Sequence, residues 1–187
     1  MAILKIARMG HPVLRTPADP VADPTAPAVR HLVGDMIETM EDAPGVGLAA
    51  PQVHHGLRIV VFRVASSTDD GAVEEDGDGA PVPLTVLINP QIEALDGDME
   101  TGWESCLSVP GLTGPVPRHA RIRYRGLDLD GAAVERTAEG LHARVVQHEC
   151  DHLDAILYPQ RMTDLSRLGF ADEVRRHPRN ADRPEEE

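Results

Sequence analysis

His148-Glu149-Cys150-Asp151-His152 is the stretch on which the fold and the chemistry of this chain both turn. On a helix, the pattern H-E-x-x-H puts two imidazoles one turn apart on the same face. Four residues at about 1.5 Å rise separate them by roughly 6 Å along the axis, so both can reach one metal ion. Glu149 then sits where it can take a proton from a water activated there. A chance spacing on a surface helix is the alternative. The flanking residues count against it. From about residue 138 to 154 the segment reads as a helix that is apolar on most faces, through Leu141, Val145, Val146, Cys150 and Leu153. Such a helix belongs at the centre of a fold. Leu141, Arg144, Val145, His148 and His152 share one of its faces. Buried histidines need partners, which a shared metal supplies; two neutral core histidines bonded to backbone is the other arrangement.

Outward from this helix, the remaining elements follow from periodicity. Val29, Leu32, Val33, Met36, Ile37 and Met40 fall at helical spacing, and Pro44-Gly45 ends that helix. Residues 57–64 and 84–88 read as strands, the second stopped by Asn89-Pro90. Further strands are expected near 122–124 and 133–136, with a turn at Asp130-Gly131. Residues 3–23, with Pro12, Pro17 and Pro20, read as an extended arm. The order of elements gives an α+β class, with sheets packed around the central H-E-x-x-H helix. A single catalytic domain is expected over residues 1–164, with a mobile acidic loop near 66–83. Residues 165–187 read as a C-terminal tail, a short helix and then a disordered end.

A chain of 187 residues with 41% hydrophobic and 26% charged positions fits one soluble globular domain. The formal net charge of −13 argues against direct nucleic-acid binding. Six acids between Asp69 and Asp78, with Glu185, Glu186 and Glu187, account for most of that charge. No apolar run is long enough for a membrane span, and the N-terminus lacks a leader-like core. Two cysteines, Cys106 and Cys150, make no disulfide framework, so a reducing, cytoplasmic setting is expected.

A third metal ligand is required, and Cys106 is the better of the two thiols. It lies in Trp103-Glu104-Ser105-Cys106-Leu107-Ser108, a Gly/Pro-punctuated segment from which a thiolate can reach a neighbouring helix. Cys150 is offset by about 200° from His148 and takes the role of a small buried apolar residue. The run Gly45-Val46-Gly47-Leu48-Ala49-Ala50-Pro51-Gln52 lacks a phosphate-cradle signature. Its small residues let a substrate or another backbone approach closely. Gln52 offers an amide donor to a developing oxyanion.

Residues 45–52 resemble G-x-G-L-A-A-x-Q, residues 104–108 resemble E-G-C-L-S, and residues 147–153 match Q-H-E-x-D-H-L. In this order and at these intervals they resemble the three motifs of the peptide deformylase family. The likeness runs from about residue 3 to 162 and includes Pro12-Val13-Leu14-Arg15 and Val116-Pro117-Arg118. It implies that Cys106, His148 and His152 bind the metal, Fe²⁺ in the cell, with Zn²⁺, Ni²⁺ or Co²⁺ also accepted. It implies Glu149 as general acid–base, and Gln52 with the Leu107 backbone N–H as oxyanion donors. Gly45, Val46, Gly47, Arg144 and Val145 would bind the substrate, a formylmethionyl nascent peptide, with transient ribosome contact. The reaction implied is hydrolytic removal of the formyl group, releasing formate. Glu104 is expected to pair with Arg118.

Three departures touch geometry rather than ligands. Ser105 replaces the middle glycine of E-G-C-L-S, Ala155 stands where the family has glycine, and Gln160 replaces a frequent acid before Arg161-Met162. Two other readings remain: a different H-E-x-x-H metallo-amidohydrolase, and a non-catalytic, metal-stabilised ribosome-docking or binding paralogue. An upstream cysteine ligand disfavours the first. Retention of Glu149 and Gln52 disfavours the second.

Overall fold

The computed structural model describes residues 2–64 and 81–177. The acidic stretch expected to be a mobile loop lies almost wholly outside the described residues, as does the tail from Pro178 onward. After an N-terminal arm that includes one short helical turn at Pro12–Arg15, helix α1 spans Pro27–Asp42. Its buried face is the one its periodicity assigns: Val29, Leu32, Val33, Met36 and Met40. Asp35 and Thr39 on the same helix are buried because they hold the arm. Ala2 N donates to Asp35 Oδ1 at 2.7 Å and Leu4 N to Thr39 Oγ1 at 2.8 Å.

Strands β1 (Gly47–Ala49), β2 (Ile59–Val64) and β3 (Val82–Ala94) follow in antiparallel register. Strand β2 is buried at every position except Arg63. Alternation sends Val60 and Phe62 to one face and Ile59 and Val61 to the other, and each pair joins a separate core cluster. Fully burying each such side chain is worth about 1.5–3 kcal/mol, so a sheet covered on both faces is strongly held.

One expected boundary is corrected. Asn89-Pro90 does not stop the strand; β3 runs on to Ala94 through a register shift between Ile88 and Gln91. Asn89 accepts a left-handed φ of 52°, its side chain both accepts from Val21 N (2.8 Å) and donates to Val21 O (2.9 Å), and Pro90 sits at the irregularity. Proline is tolerated in a strand at such a bulge, where no ladder donor is needed.

Strands β4 (Met99–Cys106) and β5 (Val109–His119) form a hairpin not expected from periodicity, and Cys106 ends β4 rather than standing on a loop. Strands β6 (Arg121–Leu127) and β7 (Ala133–Glu139) close the first sheet, whose order is β1-β2-β3-β6-β7. The second sheet has the order β4-β5-β8, where β8 (Gly169–Phe170) pairs with Leu112 and Thr113 and leads into a short helix, α3 (Ala171–Arg176).

Helix α2 (Gly140–Leu153) follows β7 directly. It contacts all five strands of the first sheet and β5 of the second, so the H-E-x-x-H segment lies between the two sheets. The architecture is α+β, with α1 on the outer face of the first sheet and α2 on the inner one. The helix ends with Ala155 N donating to His152 O (3.4 Å) and Ile156 N to Asp151 O (2.9 Å), and with Ala155 itself at φ 60°. This is a Schellman C-cap, a place where glycine is usual.

Candidate active site

His148 and His152 lie one turn apart on α2, and the hairpin turn after β4 brings Cys106 to them. One ligand atom from each of the three lies within 4.8 Å of the others, and Cys106 Sγ is 3.3 Å from His152 Nε2. Sulfur and nitrogen held tetrahedrally by one ion, at bond lengths near 2.3 and 2.05 Å, would be about 3.5 Å apart. The donor set and the spacing therefore fit a single metal ion with one position left for another ligand. His152 Nδ1 and Glu149 Oε2 are buried without a hydrogen-bond partner, polar atoms that an apolar core would not keep.

Glu104 sits behind the histidine and is almost fully buried. Its Oε2 is 2.8 Å from His148 Nδ1, which leaves His148 Nε2 as the nitrogen facing the thiol. Arg118 grips the same carboxylate from β5 through Nε and Nη2, both at 2.9 Å, and also pairs with Asp151 on α2. The expected Glu104–Arg118 pair is present. Burial pushes the Glu104 carboxyl upward, but the hydrogen bonds and charges of Arg118 and His148 outweigh it and hold the group at about 2. Glu104 thus stays ionised and serves as an orienting acceptor for His148.

Glu149 has the opposite environment. Burial raises its carboxyl, and the nearby Glu104 charge adds to that effect; His148 and Arg118 oppose them, and the group stands at about 7. A carboxyl in that range can both accept and return a proton at neutral pH. Gly47 on β1 packs directly against it. A Cβ at Gly47 would lie 2.4 Å from Glu149 Oε1 and 2.7 Å from its Cγ, so only glycine leaves the carboxylate in place.

Gln52, 1% exposed in the short helical turn after β1, is fixed at both ends of its amide. Its Oε1 accepts from Ala49 N at 2.8 Å, which turns Nε2 toward Ser108 Oγ (3.2 Å) and Cys106 Sγ (3.6 Å). The N-terminal arm braces both partners: Ala7 N donates to Gln52 O and Met9 N to Ser108 O, each at 2.7 Å. Leu107 is the first residue of the turn between β4 and β5.

These groups open on a cavity of about 480 Å³. Gly45, Val46, Gly47, Gln52, Leu107, Arg144 and Val145 all line it, together with Cys106, His148 and Glu149. All the residues singled out in the sequence therefore converge here, except that His152 lies behind the wall, fully buried. Sequence reasoning missed Trp103, Leu141 and Ser108. Leu141 was visible on the His148 face of the helix, and Trp103 is the chain's one tryptophan, immediately before Glu104. Cys150 stays in the apolar core, its thiol pushed up by burial.

A buried carboxyl and a fixed amide donor beside three side chains that could hold one metal ion are the arrangement a metal-dependent hydrolase of the H-E-x-x-H class requires. The comparisons with known proteins narrow the class to one family. The polypeptide deformylase family model matches residues 3–168, and the chain belongs to that family. It is 51% identical over 167 residues to peptide deformylase 2 of Bordetella bronchiseptica, covering 89% of this chain and 92% of that protein. It is 50% identical over 170 residues to peptide deformylase 2 of Ralstonia nicotianae, covering 91% and 93%. Among solved structures, a class I type b peptide deformylase from Acinetobacter baumannii superposes with a TM-score of 0.77 at 34% identity, covering 87% of this chain and 100% of that one. The same Acinetobacter enzyme with Met-Ala-Ser bound gives a TM-score of 0.76 at 33% identity, covering 86% and 98%. The chain is accordingly a peptide deformylase, a metallohydrolase that removes the formyl group from the N-terminus of nascent polypeptides. Among the described residues, no helix is long and apolar enough to cross a membrane.

Proposed function

We propose that Cys106, His148 and His152 hold one divalent metal ion, and that Glu149 moves the proton in hydrolysis of the formyl amide of formylmethionyl peptides. The observation that carries this is the buried Glu149 carboxyl, with Oε2 unpartnered, set between two histidines whose ring nitrogens converge with a thiol. When bound, the ion supplies Lewis acidity, polarising the carbonyl and making water easier to deprotonate. Glu149 accepts the proton of the attacking water at its carboxylate and returns it to the departing amine nitrogen. Gln52 Nε2 and the Leu107 N–H donate to the oxygen on which negative charge develops; removing one such donor costs about 2.7–4 kcal/mol in comparable sites. The products are formate and a free amino terminus on methionine.

Gly45, Val46 and Gly47 form the rim along which the peptide backbone lies. Val145 and the methylene stem of Arg144 wall the space for the methionine side chain. The Met-Ala-Ser held by the Acinetobacter relative supports a peptide of that form as ligand. Fe²⁺ is the resident ion we infer, with Zn²⁺, Ni²⁺ and Co²⁺ accepted by the same mixed sulfur–nitrogen donors. A nascent-chain substrate places the enzyme in the cytoplasm, in transient contact with the ribosome.

Formate release from formyl-Met-Ala-Ser by anaerobically purified protein, loaded with Fe²⁺ or Ni²⁺, tests the assignment beside Glu149→Ala. Turnover should fall by about 10²–10⁴-fold in the variant while one metal per chain is retained. Absence of turnover in the wild type despite a tightly bound ion would favour a non-catalytic module. Under oxygen the Fe²⁺ form should lose activity while the Ni²⁺ form persists; equal lifetimes would remove iron as the labile cofactor.

A further inference from the structure

Arg144 lies one helical turn before His148 and its guanidinium does not point into open space. Its Nη1 donates to Val116 O at 2.8 Å, to Glu104 Oε1 at 3.0 Å and to Gly102 O at 3.4 Å; its Nη2 donates to Glu100 O at 2.9 Å. The recipients lie on both strands of the β4–β5 hairpin. Gly102 leaves the passage for this side chain, because a Cβ there would lie 2.8 Å from the guanidinium carbon. The contacts close a loop: α2 reaches Glu104 through Arg144, and Glu104 reaches back to α2 at His148 Nδ1.

Arg118 grips Glu104 from the neighbouring strand β5 and reaches α2 at Asp151, after His148; Arg144 instead bonds Glu104 and both strands from the turn before it. Among the described residues, Arg144 is, apart from the imidazole itself, the α2 side chain bonded directly to Glu104, so it ties that carboxylate to the helix one turn before His148. We propose that Arg144 is a positioning residue, which registers the β4–β5 hairpin on α2 and so aims Glu104 at His148, holding that imidazole ready for the metal. The proposal rests on His148 being a ligand. A planar five-donor fork is needed to serve two strands and a carboxylate together; a lysine ammonium is a single point charge.

The test is the Co²⁺ dissociation constant, read by chelator competition, with the visible absorption of bound Co²⁺ as a report on geometry. Outer contacts of this kind typically change metal affinity by about 10–100-fold. Arg144→Met should weaken Co²⁺ binding within that range and alter the spectrum. Arg144→Lys should weaken it less, and keeps the question open to measurement if the methionine variant does not fold. Arg144→Met combined with Glu104→Gln should bind no more weakly than Glu104→Gln alone. Wild-type affinity and spectrum in the folded arginine variants would overturn the proposal, as would losses that simply multiply in the double variant. If His148→Ala binds Co²⁺ as tightly as the wild type, the ligand assignment itself has failed. If His148→Ala abolishes binding and Arg144→Met leaves it untouched, only the positioning role has failed.

Discussion

Two glutamates lining the same cavity have opposite character because their surroundings differ. Glu104 is surrounded by cations and donors and is held at about 2, whereas Glu149 is buried with one oxygen unpartnered and stands at about 7. What protects the second state is Gly47. A methyl group there would meet Glu149 Cγ at 2.7 Å, not merely the mobile end of the side chain. Gly47→Ala should therefore displace the carboxylate, lowering kcat by about 10²-fold or more, the scale of a lost acid–base residue, and costing about 1–3 kcal/mol through overpacking. Steady-state kinetics with metal content measured alongside would check it; an unchanged kcat would show that the carboxylate can shift without consequence. The side-by-side placing of His148, Glu149 and His152 was legible in sequence because a helix turns fixed spacing into fixed geometry. The close contact behind Gly47 was not, because it joins β1 to α2 across a hundred residues and leaves no local periodic trace.

At the scale of elements, α1, α2 and β2 announced themselves through uninterrupted apolar periodicity. The β4–β5 hairpin did not. Pro110, Gly111, Gly114, Pro115 and Pro117 break its alternation, and its pairing slips: in the outer register Cys106 would face Leu112, yet it faces Val109. The departures from the family motifs could not be ranked from sequence either, since backbone φ is invisible there. Ser105 lies in β4 outside the left-handed region and incurs no such strain, while Ala155 sits at φ 60° in the cap that ends α2 three residues after His152. Left-handed backbone costs a residue with a Cβ about 1–2 kcal/mol. Ala155→Gly should accordingly raise stability by about 1 kcal/mol in urea denaturation, with metal affinity unchanged. Ser105→Gly should give no gain and a loss of about 0.5–1 kcal/mol, as for glycine placed in a strand. Equal effects at the two positions would mean that the cap is not what the alanine strains.

For the whole molecule, the proposed ligand set spans the two sheets. Cys106 closes β4 in the three-stranded sheet, and the histidines ride on the helix packed into the five-stranded one. The second sheet has only a small core of its own, in which Cys106 packs with Val109, Val116, Leu157 and Tyr158. An ion bound by all three ligands therefore links that sheet to the main body, and it binds the folded state, because the unfolded chain separates Cys106 from His148 by some forty residues. Binding to the native state alone stabilises by about 2.7 kcal/mol at a free concentration 100 times Kd. At about 2–4 °C per kcal/mol for a chain of this size, chelation should lower the calorimetric midpoint by about 5–11 °C. Cys106→Ala should abolish most of that difference even when metal is supplied, because two histidines on one helix hold an ion without joining it to the hairpin. A midpoint insensitive to chelator in the wild type, with metal loss verified, would show that the two sheets are held together by the α2 contacts and the Arg118–Asp151 and Arg144–Glu104 pairs alone.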